Sequence, residues 1–270
     1  ASKEIEGCST RTLKYYKDNI TKMFHTVNLP ISEITTEILR NYLANYKSNS
    51  KASMVTIDNI RRTLSSFFAW LENEDYIIKS PVRRIHKVKA IKKVKETLTD
   101  ENLEKLRDTC SNVRDLAILE LLISTGMRVG ELTRLNISDM NFQERSCIVL
   151  GKGNSEREVY FSAKSKMYIE KYLETRTDDN EALFVSLIKP HNRLGISGIE
   201  ILIRNLGKEA NINKVHPHKF RRTMATMAID KGMPIEQVQK LLGHIKIDTT
   251  MEYAMVNQNN VKNSHRKYIT

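Results

Sequence analysis

Apolar residues recur every three or four positions in the first part of the chain, which is the spacing of amphipathic helices. The pattern predicts one helix before Pro30, with Ser9 or Thr10 as its N-cap, and a second helix over 36–46. The clearest helix runs from about Ser53 to Glu72, and its apolar face consists of Ile57, Ile60, Leu64, Phe67, Phe68 and Leu71. These elements predict a helical domain over residues 1–86.

A basic segment with little apolar periodicity follows this domain. We interpret residues 87–96 as an interdomain linker, and the positive charges in and just before it are Arg83, Arg84, His86, Lys87, Lys89, Lys92, Lys93 and Lys95. Arg61 and Arg62 lie off the apolar face of the helix before it. Together with Arg83, Arg84, Lys92 and Lys93 they are the candidate contacts to an anionic partner. An ordinary solvated linker explains the linker charges nearly as well, and a solvated helix face explains Arg61 and Arg62 better.

The apolar pattern resumes at Thr97, and its period changes partway through the second domain. Thr99 is placed to open a helix, and Gly126 is placed to end the buried helix that follows. The period then becomes two over 147–150 and 158–161, which predicts a β-hairpin around 151–154, with Phe142 in a third strand. After Lys164 the pattern is helical to the end. The chain is therefore predicted to be mainly α, with a mixed α/β domain over 97–270 that contains a small antiparallel sheet.

Composition narrows the range of functions. The 270 residues include 44 Lys and Arg against 32 Asp and Glu, a formal net charge of +12. Such an excess favours a polyanionic partner, because neutralising phosphates releases condensed counterions. Three widely separated cysteines argue against a disulfide framework, and no apolar stretch approaches the length of a membrane span. We therefore expect a cytoplasmic protein with reduced thiols.

The second domain also contains the candidate catalytic side chains, which are Arg128, Lys152, His218, Arg221, His244 and Tyr253. His218 and Arg221 are three residues apart and so share one face of a helix, where Arg221 is expected at the flank of the apolar surface. Gly243 is placed to end the next helix just before His244. The pair His216 and His218 has no cysteine or carboxylate cluster beside it, so we predict no metal site.

This set of residues suits phosphoryl transfer without a metal. Guanidinium groups can meet the charge that develops on the non-bridging oxygens of a phosphodiester. A phenol can act as the nucleophile if a base removes its proton, and a lysine can protonate the leaving oxygen. Taken singly, each residue has a structural explanation: a surface arginine, a packed tyrosine, a helix-end histidine or a turn lysine. The combination in this order is what indicates chemistry.

Five segments resemble the motifs of the tyrosine recombinase family, which includes integrases of phages and conjugative transposons and the Xer-type chromosome-dimer resolvases. The segment 125–132 (TGMRVGEL) looks like the box of the first catalytic arginine, and 149–157 (VLGKGNSER) looks like the hairpin-lysine box. The segment 216–223 (HPHKFRRT) resembles the His-x-x-Arg box. The last motif is divided between 241–244 (LLGH) and 249–253 (TTMEY).

The resemblance implies a role for each matching residue. Tyr253 would attack the scissile phosphate and form a 3′-phosphotyrosyl link, while Arg128 and Arg221 hold the non-bridging oxygens. Lys152 would protonate the 5′ oxygen, His218 would act as base towards Tyr253, and His244 would hydrogen-bond the phosphate. Glu131 matches an acidic position that supports the arginines.

The resemblance also implies partners. The family needs no cofactor and works as a homo-tetramer on double-stranded recombination sites, with each C-terminal tail docked on a neighbour. Here the tail is 257–270. We expect a prokaryotic, nucleoid-associated integrase of a mobile element, for which accessory DNA-bending proteins are candidate partners. An N-terminal arm-binding domain, which some integrases carry, is not visible in this sequence.

The sequence leaves two other functions open. The fold could serve a DNA-binding module that does not cut, which the complete set of six residues disfavours. A type IB topoisomerase shares the chemistry but relaxes supercoils without a partner site, and the LLGH motif and the short chain favour recombination instead.

Overall fold

A computed structural model of the protein describes residues 2–88, 96–151, 156–243, 247, 250 and 251. The chain divides into two compact units, Ala1–Lys93 and Val94–Thr270. No helix among the described residues is long and apolar enough to cross a membrane.

The first unit is helical. Three of its helices begin at a hydroxyl residue whose side chain accepts the N–H of the residue three positions on: Ser9, Thr35 and Ser53. The helices are α1 (Ser2–Ile5), α2 (Thr10–Val27), α3 (Thr36–Ser50) and α4 (Met54–Asn73). The apolar face predicted for α4 is the centre of this unit's core, since Ile60, Leu64 and Phe68 are at most 1% exposed.

The second unit is built around a helix that is buried on almost every side. This helix, α6 (Val113–Thr125), follows α5 (Asp100–Thr109), which Thr99 caps as predicted. The remaining helices are α7 (Val129–Leu132), α8 (Ala163–Glu174), α9 (Ile196–Glu209), α10 (Pro217–Asp230) and α11 (Ile235–Leu242). Gly126 ends α6 in the left-handed conformation, as the sequence indicated.

The sheet of the described residues has three antiparallel strands in the order β1 (Met140–Asn141), β2 (Ser146–Leu150) and β3 (Glu156–Tyr160). The hairpin of β2 and β3 pairs Cys147 with Val159, and both side chains are buried. The prediction that Phe142 belongs to the third strand is wrong by one residue. Phe142 follows β1 and packs edge-on against Phe161, with 6.3 Å between the ring centroids.

The prediction that the chain is helical after Lys164 is wrong for residues 175–195. This stretch contains residue types that favour turns, namely Asp178, Asp179, Asn180, Pro190 and Asn192. Its backbone is held by loop hydrogen bonds and by arginine side chains instead of helical hydrogen bonds. Arg176 donates to the carbonyl of Ala182, and Arg193 donates to the carbonyl of Leu135 at 3.0 Å. These contacts fix the loop on the core before α9 begins.

Candidate active site

The turn between α6 and α7 presents the first candidate arginine. Gly126 ends α6 at φ +58°, a left-handed angle that favours glycine, and a Cβ there would meet the end of the Met224 side chain on α10. Arg128 is the N-cap residue of α7, and its backbone N–H donates to Oε2 of Glu131 at 2.8 Å. The Arg128 side chain is 40% exposed, so its guanidinium group is accessible from outside.

Glu131 lies between two arginines. Its Oε1 accepts Nη1 of Arg128 at 2.8 Å, and both of its oxygens accept from Arg157, at 2.8 and 2.7 Å. Burial of the carboxyl group, which is 3% exposed, raises its pKa, but the hydrogen bonds from Arg157 and Arg128 outweigh burial and lower the pKa to about 2. Glu131 is therefore ionised throughout the physiological range.

The second candidate arginine, Arg221, is 1% exposed. The prediction that it sits at the flank of the helix is wrong, because α10 is buried over most of its surface from Pro217 to Thr226. Its guanidinium group donates to the carbonyl of Gly126 at 2.9 Å and to the carbonyl of Leu242. Arg221 thus holds the end of α6 and the end of α11 together, and these hydrogen bonds offset the cost of burying its charge.

A pocket of about 540 Å³ brings three of the predicted catalytic residues together: Arg128, His218 and Arg221. His218 is exposed in the first turn of α10, one turn before Arg221. The other lining residues are Met127, Val129, Glu200, Arg204, Val215, His216 and Pro217. Among the described lining residues, five arginine and histidine side chains surround one carboxylate, that of Glu200, so this part of the pocket favours an anionic ligand.

The other predicted catalytic residues, Lys152, His244 and Tyr253, lie outside the described residues. So do Lys92, Lys93 and the tail 257–270. No group of three His, Cys, Asp or Glu side chains that could hold a metal ion occurs among the residues that the structure describes.

Arg157 is a functional candidate to which the sequence analysis gave no role. It lies on β3, and besides its two bonds to Glu131 its Nε donates to the carbonyl of Leu241 at 3.0 Å. The sequence does contain a sign that Arg157 points inward. Residues two apart in a strand share a face, and Arg157 therefore shares a face with the fully buried Val159. An arginine on the inner face of a strand requires a partner.

The candidate DNA contacts of the first unit differ in their surroundings. Nε of Arg61 donates to Asp58 at 2.8 Å and its side chain is only 14% exposed, whereas Arg62 is exposed. Arg83 is exposed and lies 3.4 Å from Glu72, and Arg84 is exposed. Arg61 is therefore the least available of these four to an outside ligand.

Comparison with protein families gives matches over both units. The model described as "Phage integrase family" matches residues 96–260, and the model described as "Phage integrase, N-terminal SAM-like domain" matches residues 1–78. The first of these matches alone covers more than half of the chain.

Individual relatives match over nearly the whole chain. Tyrosine recombinase XerA of Pyrococcus horikoshii is 32% identical over 98% of this chain and 90% of its own length. Tyrosine recombinase XerC of Staphylococcus aureus is 31% identical over 94% of this chain and 89% of its own. The solved structure of the Tn1549 transposon integrase, in complex with circular intermediate DNA, has a TM-score of 0.80 over 97% of this chain and 96% of its own at 19% identity. The likeness confirms the predicted fold class.

Proposed function

The chain belongs to the phage integrase family, and from this premise we propose that its pocket holds the scissile phosphate of a DNA strand that Tyr253 attacks. The protein is a tyrosine recombinase, an enzyme that cuts and rejoins DNA at specific sites through a phosphotyrosine intermediate. The observation that supports our assignment of the site is the presence of Arg128, His218 and Arg221 in one pocket.

The two arginines stabilise the phosphate as it reacts. Charge accumulates on the non-bridging oxygens when the phosphorus becomes five-coordinate, and fixed guanidinium donors meet that charge without having to reorganise. Arg221 is held by two backbone carbonyls and Arg128 by Glu131, so both are positioned before DNA binds. Among the described residues, the side chain of Arg128 has hydrogen bonds only through Nη1, which leaves Nε and Nη2 for phosphate oxygens.

The remaining steps are proton transfers. As the phenolic oxygen of Tyr253 bonds to phosphorus, its proton passes to His218. The bond from phosphorus to the 5′ oxygen breaks, and Lys152 donates a proton to that oxygen, while His244 hydrogen-bonds the phosphate. The products are a 3′-phosphotyrosyl link and a free 5′-hydroxyl. Attack by a 5′-hydroxyl reverses the step, so rejoining needs neither a metal nor ATP.

Exchange between two duplexes requires a multimer. Two duplexes have four strands to cut, and each chain has one candidate nucleophile, so we propose a homo-tetramer on double-stranded sites. Exchange of the tail 257–270 between neighbours would join its subunits. Accessory DNA-bending proteins would assist where the sites need to be brought together.

We propose integration and excision of a mobile element at the nucleoid as the biological role. The XerA and XerC relatives favour a second role, the resolution of chromosome dimers. The DNA on either side of the gene distinguishes these roles, because a mobile element has repeats at its ends and a chromosomal resolvase gene does not.

Covalent capture tests the activity and finds the target sequence in one step. The protein is incubated with a pool of nicked duplexes of random sequence, and DNA that stays attached in denaturant is sequenced. We expect one enriched site for the wild-type protein and no attached DNA for Tyr253→Phe. Tyr160→Phe, which alters an exposed tyrosine on β3, is the matched control and should behave as wild type.

The other outcomes point to the two alternative functions. Retention of a specific DNA without a denaturant-resistant adduct would indicate a binding module that does not cut. Relaxation of supercoiled plasmids that lack the enriched sequence would indicate a topoisomerase.

A further inference from the structure

We propose that Arg157 is a positioning residue for DNA cleavage, because it orients Glu131, and through it Arg128, while anchoring the end of α11. The inference rests on the proposed function of the pocket. Arg157 does not line the pocket, so it would act through the groups that it holds and not by touching DNA.

Three hydrogen bonds place the Arg157 guanidinium group at a junction. Nη1 and Nη2 form a paired contact with the two oxygens of Glu131, at 2.8 and 2.7 Å. Nε donates to the carbonyl of Leu241 at 3.0 Å, in the last turn of α11. The side chain is 11% exposed, so water competes weakly for these bonds.

The charge balance of this cluster explains why a second arginine is useful. Glu131 paired with Arg128 alone would form a neutral pair, and the phosphate would meet an arginine whose charge is already compensated. With Arg157 present, two positive charges share one carboxylate, and the cluster keeps a net charge of +1. That charge is available to the phosphate through the exposed side of Arg128.

The contact with α11 links this cluster to the segment that leads to the nucleophile. Arg157 and Arg221 donate to the consecutive carbonyls of Leu241 and Leu242, where cations also interact favourably with the helix dipole. The chain continues from Gly243 to His244 and Tyr253. Gly243 leaves room for this arrangement, since a Cβ there would lie 2.9 Å from Cδ of Arg157.

A purely structural ion pair is the competing explanation, and the same unit contains a matched example. Arg114 is also 11% exposed, pairs with one carboxylate, Asp115, and donates to one backbone carbonyl, that of Val185 at 3.1 Å. It does not line the pocket. Arg114→Gln therefore reproduces the loss of a buried arginine without touching the site.

The experiment measures single-turnover formation of the covalent adduct at saturating DNA, using the nicked duplex that the wild-type protein captures. For Arg157→Gln we expect a rate about 100-fold lower, as for a small misplacement of catalytic groups, with Kd for the DNA unchanged. Arg114→Gln should lower thermal stability but keep the wild-type rate per folded molecule. Arg157→Lys keeps the charge but cannot make the paired contact, and should recover only part of the rate.

Two further readouts separate positioning from folding. Without Arg157 the pKa of Glu131 rises, so the cleavage rate of Arg157→Gln should fall at a higher pH than the wild-type rate as the solution is acidified. If Arg157 acts through Glu131, the double variant with Glu131→Gln should be less impaired than the product of the two single effects.

The inference is overturned if the rate of Arg157→Gln matches that of Arg114→Gln, if Arg157→Lys is fully active, or if the two single effects multiply. Failure of the wild-type protein to form any adduct would instead refute the proposed function, so the two failures can be told apart.

Discussion

Arg221 and Glu131 are ionised side chains with 1% and 3% exposure, which is unusual for charged residues. Each is compensated in a different way. Nη1 and Nη2 of Arg221 donate to the backbone carbonyls of Gly126 and Leu242. Glu131 is compensated twice, by Arg128 and Arg157. At the scale of single residues, the site therefore concentrates positive charge at the pocket and holds its buried charges with hydrogen bonds.

Arg128→Ala should reduce the rate of cleavage far more than the affinity for DNA. A phosphate contact that strengthens as charge develops contributes mainly to the transition state, and its loss costs about 100- to 1000-fold in rate. Single-turnover adduct formation and equilibrium binding on the same duplex measure the two effects. Equal losses in both would argue that Arg128 only binds DNA.

Because of Glu131, the stability of the protein should depend on pH in the acidic range. Its pKa is about 2 in the folded protein against 4.5 for the ordinary side chain, so its ionised form stabilises the fold above the unfolded pKa. This contribution, on the order of 3 kcal/mol, is lost as the pH falls from about 5 towards 2. Denaturant unfolding of the wild type and Glu131→Gln over this range should show their difference in unfolding free energy shrinking. A constant difference would contradict the pairing.

At the scale of elements, the site forms where the ends of three helices meet one strand of the sheet. The end of α6, the start of α7, the inner face of β3 and the end of α11 are connected by the side chains of Glu131, Arg157 and Arg221. β3 and α11 are distant in the sequence from the turn between α6 and α7, and none of these elements forms the site alone. Their assembly depends on close approach at Gly126 and Gly243.

Gly243→Ala should impair both stability and cleavage. An alanine at φ +63° costs about 1–2 kcal/mol, and its Cβ would also displace Arg157 from Leu241. Gly232→Ala is the control, since Gly232 has φ +91° with nothing within 4 Å of the added Cβ. Thermal unfolding should show a loss in both variants, but only Gly243→Ala should also lower the cleavage rate. Equal cleavage rates for the two variants would show that the end of α11 does not affect the chemistry.

Much of the element structure could be predicted because local rules decide it. The caps at Ser53 and Thr99 and the helix end at Gly126 each follow from a hydrogen bond or a backbone angle within a few residues. The loop over 175–195 could not be predicted, since Arg193 and the backbone N–H of Leu183 fix it to the carbonyl of Leu135, which lies far away in the sequence. Arg221 was assigned to the site from its motif, but its burial depends on α6 and α11, which the helical period does not reveal.

At the scale of the whole molecule, the net charge of +12 favours binding to DNA of any sequence, and the pocket is the proposed site of the phosphate that reacts. Non-specific affinity scales with the number of phosphates that are neutralised, and it falls with added salt. The structure separates arginines that are free for this role from those already paired within the protein, as the contrast between Arg62 and Arg61 shows.

Arg62→Ala should weaken DNA binding more than Arg61→Ala does. Arg62 is exposed, and removal of a phosphate contact lowers the slope of log affinity against log salt by about 1. Arg61 is paired with Asp58, so its removal should leave the slope nearly unchanged. Binding titrations at several salt concentrations compare the two variants. An equal effect of both variants would contradict the assignment.

The most direct test of the account is to locate the covalent bond in the trapped complex. Protease and nuclease digestion of the adduct, followed by mass spectrometry, identifies the modified residue and the end of the DNA to which it is joined. We predict a nucleotide attached through its 3′-phosphate to Tyr253, with a free 5′-hydroxyl on the released strand. Attachment to any other residue, or through a 5′-phosphate, would contradict it.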